Sequence, residues 1–240
     1  MLSGRVARPD RREKPEYGVD YGTMIPFAAA NGIEYGLFEE SDSSEMVRLL
    51  GETFARRDPP AVAVGLTASE FEYFAGLLCG DAAIQGLTII ARSAETGEMA
   101  GALLAEDSSS PLPAGMGSLS AKFDPIFDIL GQLESAYRSG PVTTSGESAH
   151  LFLLGVAERF GGQGIGRQLV AQGTANAARR GYPLAVTEAT NLTSQHIFRR
   201  AGFIERVRGS YQEHRFNGKA FFTSIADHVG PVLMDKQLGS

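Results

Sequence analysis

The chain has 240 residues, of which 43% are hydrophobic, and its formal net charge is −6. That much apolar material is enough for one well-packed domain. The negative charge, without a long basic patch, argues against nucleic acid as a main partner. The sequence also lacks the run of about 18 apolar residues that would predict a membrane span.

Counts of a few residue types exclude further classes of protein. The single cysteine, Cys79, rules out an intramolecular disulfide framework, so it is either a core residue of an apolar helical segment or a free thiol. The four histidines and this cysteine lack metal-ligand spacing, and we predict no metal site. The N-terminus is charged and has no apolar core of a signal peptide, which predicts a cytoplasmic protein.

Residues 1–30 are predicted to form an arm, because the segment from Met1 to Tyr17 is polar and contains two prolines. One domain then covers 31–240. Residues 107–147 are predicted to be an insertion between two strands of its sheet. The insertion begins with a Ser-, Pro- and Gly-rich loop and continues with an amphipathic helix over Phe123–Tyr137. An insertion of this length is typical of a lid or of a wall of a binding site.

The elements before the insertion carry clear boundary signals. Apolar spacing predicts a strand over Ile33–Glu39, and Ser41 or Asp42 is predicted to cap the first helix. That helix should end near Asp58, because Pro59-Pro60 follows.

A second helix and a hairpin follow. Thr67 and Glu70 form a predicted capping box at the start of the second helix. The segments Leu87–Ser93 and Met99–Glu106 are predicted to be the two strands of a hairpin.

The segment His150–Ala157 is predicted to be a central strand, since both of its alternating faces are largely apolar. Strict alternation would place His150, Phe152, Leu154 and Val156 on one face. A short loop with four glycines comes next, and a helix follows it. Backbone N–H groups and a helix N-terminus then point at one place, which suits a phosphate group.

The glycine loop resembles one known phosphate site. No Lys-Ser or Lys-Thr follows the glycines, so the Walker pattern fails, and the Rossmann pattern fits poorly. Val156 followed by Gly-Gly-Gln-Gly-Ile-Gly-Arg at 161–167 resembles the acetyl-CoA pyrophosphate loop of the GNAT acyltransferases. That motif is Arg or Gln, two residues, Gly, one residue, then Gly or Ala. Gly161 stands at the Arg/Gln position, which removes a side-chain donor and keeps the backbone cradle.

The resemblance implies an α/β fold with a mixed, mostly antiparallel central sheet flanked by helices. A splayed central strand pair, the glycine loop and its helix would form the coenzyme site, with acetyl-CoA as co-substrate. The implied coenzyme-binding residues are Leu154, Val156, Gly161, Gly162, Gln163, Gly164, Ile165, Gly166, Arg167 and Asn191.

The similarity continues downstream. Asn191–Ser194 and Ile197–Phe203 resemble the next helix of the family and its Gly-Phe exit. Asn191 either caps this helix or holds the pantetheine arm. In many members a Tyr, four residues before that Gly, protonates the leaving thiolate. Here the position is occupied by Phe198, which cannot donate a proton.

Within the family, the pattern is closest to the arylalkylamine N-acetyltransferases. Asp58-Pro59-Pro60, followed by Val64-Gly65-Leu66, resembles the Asp-Glu-Pro-Leu segment of the insect and nematode enzymes, which also carry a helical insertion where 124–137 lies. The tail is similar to the last strands of that branch at Tyr211, Asn217-Gly218, Phe221-Phe222, His228 and Lys236-Gln237-Leu238.

Three residues are candidates for proton transfer, because an attacking amine must lose a proton. Asp58 stands where the insect enzymes place a catalytic Glu, or it is a solvated helix-end carboxylate beside Arg56 and Arg57. His150 matches one of two histidines in the serotonin-acetylating relatives of vertebrates, or it is structural. Ser194 would lie near the thioester sulfur, or it caps its helix.

These features predict an acetyl-CoA-dependent N-acetyltransferase that acts on a small, arylalkylamine-like primary amine by direct attack in a ternary complex. The protein would be a monomer or a homodimer. Two alternatives remain open at this point. One is acetylation of a protein N-terminus, a lysine or an aminoglycoside. The other is a non-catalytic acyl-CoA-binding module. It is suggested by Gly161, which lacks the usual side-chain donor, and by Phe198, which cannot donate a proton.

Overall fold

The computed structural model of the chain describes residues 31–137 and 144–239. The predicted arm, 1–30, and part of the insertion, 138–143, lie outside the described residues. The strands are β1 Ile33–Leu37, β2 Ile89–Ser93, β3 Met99–Asp107, β4 Ala149–Val156, β5 Leu184–Ala189, β6 Ile204–Arg208 and β7 Val232–Gln237. The helices are α1 Ser43–Arg57, α2 Pro59–Ala63, α3 Ala68–Gln85, α4 Asp124–Tyr137, α5 Ile165–Arg179 and α6 Leu192–Arg200.

The strands form one mixed sheet in the order β1-β2-β3-β4-β5-β7-β6. Only the central pair, β4 and β5, is parallel, and the other neighbours in the sheet are antiparallel. Helices α1 and α3 cover one face, which we call the α1 face, and α5 covers the other, which we call the α5 face. The expected α/β class with a mostly antiparallel sheet is confirmed, as is the central, doubly covered position of β4.

Local signals set most of the helix ends. Thr67 and Glu70 cap α3 reciprocally: Glu70 N donates to Thr67 Oγ1 over 3.3 Å, and Thr67 N donates to Glu70 Oε2 over 2.9 Å. Helix α1 ends at Arg57, as Pro59 requires. Cys79, on α3, is 6% exposed and belongs to the core. None of the described helices combines the length and the continuous apolar character of a membrane-crossing segment.

The predicted faces of β4 are wrong beyond Phe152, because the strand contains a β-bulge there. Leu104 of β3 pairs with Leu153 and Ala105 pairs with Leu151, so Phe152 is an extra residue without a partner in this ladder. A bulge reverses the alternation of the side chains that follow it. His150 and Phe152 therefore lie on the α1 face, with their rings stacked at 4.8 Å, whereas Leu154 and Val156 pack on the α5 face.

The tail also departs from expectation. Lys236 and Gln237 lie in β7, as predicted for a last strand. In contrast, the residues from Tyr211 to His228 are not in strands: they form turns and a short 3₁₀ helix, with one isolated bridge between Phe216 and Lys219. This connection between β6 and β7 returns to the α1 face and packs against α2.

Candidate functional site

A cleft opens in the middle of the sheet, where β4 and β5 separate. The two strands pair only at Ala149–Ala185 and His150–Val186 and diverge beyond these residues. Among the described strands, none pairs with this edge of β4 toward its C-terminal end. The cleft has a volume of about 300 Å³ and is lined from both faces of the sheet, by Phe74 and Phe123 on one and by Gly166 and Ile197 on the other. Its volume is at the lower end of the range for small-molecule sites.

The glycine loop leads into α5, whose Gly166 lines this cleft. Gly162 and Gly164 have φ of +75° and +79°, a conformation that glycine adopts without the steric cost of a Cβ atom. Gly164 is the N-cap of α5, whose first turn has neither a side-chain cap nor an acidic residue among the described residues. The N-terminal amides of α5 are thus available to an anion. This geometry fits the diphosphate of a coenzyme.

Leu154 and Val156 connect this loop to the sheet. A Cβ built on Gly166 would lie 3.7 Å from Val156 Cγ2 and 3.9 Å from Leu154 Cδ2, so both side chains face the start of α5. At the end of β4, the guanidinium group of Arg57 donates a hydrogen bond to the Val156 carbonyl oxygen. The part of the cleft nearest the glycine loop is therefore on the α5 face of β4.

Asp58 is buried at the junction of α1 and α2. Its side chain accepts hydrogen bonds from Thr190 Oγ1, at 2.5 Å, and from Ala61 N, at 3.3 Å, where it caps α2. Asp58 is only 7% exposed. It is thus not a solvated surface carboxylate, and the described ion pairs of the chain do not join it to Arg56 or Arg57.

Burial dominates the acidity of Asp58. Loss of solvent raises its pKa to about 6, although the hydrogen bonds from Thr190 and Ala61 act in the opposite direction. A carboxyl group with such a pKa can accept and release a proton near neutrality, which is what general base catalysis requires.

His150 lies between two carboxylates. Its Nε2 is 2.6 Å from Glu188 Oε2 and its Nδ1 is 3.6 Å from Glu106 Oε1. Burial alone would lower the pKa of His150, but the two carboxylates outweigh it and raise the pKa to about 10. The ring is therefore cationic at neutral pH and holds Glu188 at the cleft wall. This electrostatic environment favours Asp58 over His150 as a base.

Ser194 and Asn191 lie at the start of α6 and line the cleft. Ser194 N donates to Asn191 Oδ1 over 2.8 Å, and Asn191 N donates to Ser194 Oγ over 3.4 Å, so the two side chains form a capping box. Phe198, further along α6, is 2% exposed and packs edge-on against Phe203. No phenol is present at this position.

Aromatic side chains line the α1 face of the cleft. They come from α1, α3, β4 and the insertion, and their ring centroids lie 4.5 to 6.0 Å apart. The residues are Phe54, Phe71, Phe74, Phe123, Phe127 and Phe152. Sequence reasoning assigned those on helices to ordinary apolar stripes, since nothing local distinguishes a core ring from a cleft ring.

The described helix of the insertion, α4, is anchored beside the cleft. Lys122 Nζ lies 2.9 Å from Glu70 Oε2, at the start of the insertion helix. Tyr137, at the end of α4, donates to Asp235 Oδ2 of β7 over 2.7 Å. Between these points, Phe127 and Leu130 project into the cleft. Of the two predicted roles, lid or wall, this anchoring favours the wall.

Sequence reasoning missed three polar residues of the site. Thr190 follows β5 and binds Asp58, Glu188 binds His150, and His228 lines the cleft from the connection between β6 and β7. Thr190 and Glu188 belong to no recognisable motif, and the sequence indicated His228 only as part of a resemblance to last strands. In residues 31–137 and 144–239, no group of three or more His, Cys, Asp or Glu side chains is arranged to hold a metal ion.

Part of the sequence matches the model of one known protein family. Residues 86–203, from just before β2 to the end of α6, match the sequence model of the Acetyltransferase (GNAT) family. The matched stretch contains β4, the glycine loop and α5. Among curated proteins, none matches the chain significantly in sequence.

Several solved structures share the fold. The C-terminal condensation domain of Ebony, solved with beta-alanyl-dopamine, superposes with a TM-score of 0.78 at 14% identity, over 85% of this chain and 98% of that one. Arylalkylamine N-acetyltransferase 2 from Aedes aegypti gives 0.73 at 22% identity, over 87% and 100%. The Drosophila melanogaster polyamine N-acetyltransferase, which forms N-acetylagmatine, gives 0.68 at 17% identity, over 86% and 100%. At these identities the likeness shows the fold, and it includes the arylalkylamine branch that the sequence indicated.

Proposed function

We propose that this chain, whose residues 86–203 match the GNAT acetyltransferase family model, is an acetyl-CoA-dependent N-acetyltransferase of a small primary amine with an aromatic or similarly apolar body. One observation carries the proposal. Asp58, a buried carboxyl group with a pKa raised to about 6, lines the same cleft as Gly166, in the first turn of the helix that follows the glycine loop, and as the C-terminal half of β4. A base and an activated acyl group would thus meet in one cleft.

Acetyl-CoA enters this proposal as the co-substrate. Its diphosphate would bind the amides of Gly162, Gly164 and the start of α5, supported by Gln163 and Arg167. Its pantetheine arm would follow Leu154 and Val156 toward Asn191. Remote binding of this kind fixes the thioester beside the amine and lowers the entropic part of the barrier.

The acceptor would enter from the α1 face, against the aromatic wall. An amine that is protonated in solution loses a proton to Asp58, and its lone pair then attacks the thioester carbonyl carbon. A C–N bond forms and the C–S bond breaks. A main-chain N–H on the unpaired edge of β4 would donate to the thioester oxygen as negative charge develops.

The leaving thiolate needs a proton that Phe198 cannot supply. Ser194 is the proposed donor, since its hydroxyl lies at the cleft and at the start of α6, and the second proton that the attacking nitrogen loses would restore this hydroxyl. His150 would act through charge, as a fixed cation that keeps Glu188 in place, and not as the base. The two faces of the cleft would hold both substrates at once, which supports direct attack in a ternary complex.

The shape of the site supports a small acceptor over a protein. The aromatic wall and the insertion helix border the acceptor side of a half-open cleft of about 300 Å³, a volume that suits a small amine better than a long stretch of peptide. An ionisable buried carboxylate supports catalysis over a non-catalytic coenzyme-binding role. Burial of a carboxyl group without an ion pair costs free energy, and groups whose pKa is shifted by burial inside a cleft concentrate at functional sites.

The test is release of free thiol from acetyl-CoA in the presence of single amines. The panel contains phenethylamine, agmatine and a peptide with a free N-terminus and a lysine. We expect phenethylamine to give the highest kcat/KM. Faster turnover of the peptide would contradict a small acceptor, and coenzyme binding without turnover of any amine would select the non-catalytic module.

A further inference from the structure

Arg57 is a charged residue of the cleft that the proposed mechanism does not use. It is the last residue of α1, directly before Asp58, and it is exposed. Arg57 lines the cleft, and it also lines a neighbouring polar pocket of about 580 Å³, between α1 and the segment that leads into the glycine loop. Its guanidinium group therefore lies at the border between the two openings.

The guanidinium group of Arg57 is held at the open edge of β4. Its Nη2 donates a hydrogen bond to the Val156 carbonyl oxygen. Ala157 N donates to Ala100 O, next to β3, over 2.9 Å, and the backbone groups of successive residues in a strand point to opposite sides. The N–H and C=O groups of Val156 therefore point away from β3, to the side where β5 has diverged. Arg57 reaches this edge from α1.

The same edge adjoins the start of α5. A Cβ built on Gly166, in the first turn of that helix, would lie 3.7 Å from Val156 Cγ2. The guanidinium group on the Val156 carbonyl is thus at the junction between the glycine loop and the cleft. A coenzyme that binds the N-terminal amides of α5 and extends into the cleft passes this junction.

The charge of Arg57 is not neutralised by a carboxylate. Over the part of the chain that the structure describes, Arg57 takes part in no ion pair, whereas Arg159, in the same polar pocket, is paired with Glu98. One of the five N–H groups of Arg57 is donated to Val156, so four remain for a ligand. The planar fork of a guanidinium group matches the oxygens of a phosphate.

The glycine loop itself lacks a side-chain donor at Gly161, where the loops that it resembles carry Arg or Gln. The backbone does not require glycine there, since φ of −60° and ψ of 152° are accessible to any residue. An added Cβ would lie 3.0 Å from Glu158 O, a close contact that a small shift relieves. The missing side chain is therefore a real loss of a donor, for which Arg57 lies in a position to compensate.

We propose that Arg57 is a coenzyme-binding residue, which supplies from α1 the side-chain donor that the glycine loop lacks at Gly161. Its remaining N–H groups donate to oxygens of the coenzyme diphosphate, while Nη2 stays on Val156 O. The end of α1 then serves both substrates, with Arg57 on the coenzyme and Asp58 on the amine. This inference deepens the proposed function and rests on it.

The experiment measures the affinity for coenzyme A by calorimetry, without an acceptor. Arg57→Gln should weaken binding about tenfold, the effect of one charge-assisted hydrogen bond. It should also make the affinity less dependent on salt, because one charge pair fewer is screened. Arg56→Gln is the matched control, since Arg56 is also exposed in the last turn of α1 and does not line the cleft. It should leave the affinity and its salt dependence unchanged.

A second set of variants separates a contact with the coenzyme from a structural effect on β4. Gly161→Arg restores the side chain that is usual at this position of the motif. Combined with Arg57→Gln, it should recover most of the lost affinity. Gly161→Ala adds only the Cβ atom, and in the same background it should recover none.

Unchanged coenzyme affinity in Arg57→Gln would overturn the inference and leave the proposed function standing. A loss of affinity that Gly161→Arg does not repair would also overturn it, because the contact with Val156 would then be structural. So would a higher KM for the amine with unchanged coenzyme affinity, which would assign Arg57 to the acceptor. A wild type that binds coenzyme A but turns over no amine contradicts the proposed function alone, and one that does not bind coenzyme A overturns both.

Discussion

Thr190 donates its hydroxyl hydrogen to Oδ1 of Asp58 over 2.5 Å, and so joins two residues that are 132 positions apart in the chain. Thr190 is itself held by Tyr211, whose hydroxyl donates to the Thr190 carbonyl oxygen over 2.7 Å. The proposed base is therefore oriented by two layers of hydrogen bonds that start from a fully buried ring. Changes in this network should therefore change the pH dependence of the reaction.

The first prediction concerns the charge of Asp58. Because its pKa is raised to about 6, kcat/KM should increase with pH through an acidic limb centred near that value, as the carboxylate forms. Asp58→Asn should reduce kcat by about 10²- to 10⁴-fold, the usual contribution of a general base. The affinity for acetyl-CoA, measured by calorimetry, should not change. An acidic limb that persists in this variant would show that another group is the base.

The second prediction concerns Thr190. Thr190→Val keeps the shape of the side chain and removes the donor that lowers the pKa of Asp58. The acidic limb should therefore move to higher pH, by about one unit for the loss of one charge-assisted hydrogen bond. Thr190→Ser keeps the hydroxyl and should retain the wild-type profile. Identical profiles for the Val and Ser variants would refute a link between Thr190 and the base.

The third prediction concerns His150. Its pKa is raised to about 10, above the ordinary value of a histidine, so its ion pairs contribute stability that is complete at low pH and is lost as the pH rises through about 10. The thermal stability of the wild type should therefore fall between neutral and alkaline pH more steeply than that of His150→Gln. The NMR signals of the His150 imidazole should not titrate between about pH 5 and 8. A ring that titrates in that range would restore His150 as a candidate base.

The fourth prediction concerns the glycine loop. Gly164 and Gly97 have φ of +79° and +72°, so replacing either by Ala costs about 1 kcal/mol of backbone strain. Gly97 lies in the β2–β3 hairpin, and an added Cβ would meet nothing within 4 Å. Gly164→Ala should weaken acetyl-CoA binding at least tenfold in calorimetry, whereas Gly97→Ala should only lower stability. Equal coenzyme affinities for the two variants would refute the proposed cradle.

The fifth prediction concerns Val229, a β-branched residue that has φ of +65° and ψ of −67°, an unfavourable backbone conformation for such a residue. Its side chain is 52% exposed, so Val229→Gly loses little packing and relieves the positive φ, and it should stabilise the protein by about 1 kcal/mol in denaturant unfolding. Val62, which is 48% exposed in the regular helix α2, is the control. Val62→Gly should destabilise by a similar amount, as glycine does in a helix. If both variants destabilise equally, the backbone at Val229 stores no strain.

Much of the fold was predictable because its signals are local. The capping box of Thr67 and Glu70, the stop before Pro59 and the alternating hairpin strands depend on residues within a few positions of one another. The tail was not predictable, since the segment from Tyr211 to His228 has no periodic pattern and only its last part, the 3₁₀ helix Thr223–His228, packs against α2. Helix α2 was not predicted either, because the two prolines at its start were interpreted only as the end of α1.

In the candidate site, too, some features follow from local sequence signals and others from long-range contacts. The sequence by itself determined the strand, glycine turn and helix at 149–179, because glycine content and apolar periodicity encode that unit directly. Only the tertiary structure decided that Phe152 forms a bulge, which turns Leu154 and Val156 toward α5 and His150 away from it. Only the tertiary structure buried Asp58 against Thr190. Both outcomes depend on contacts between segments far apart in the chain, and burial and charge pairing cannot be computed from neighbours in sequence.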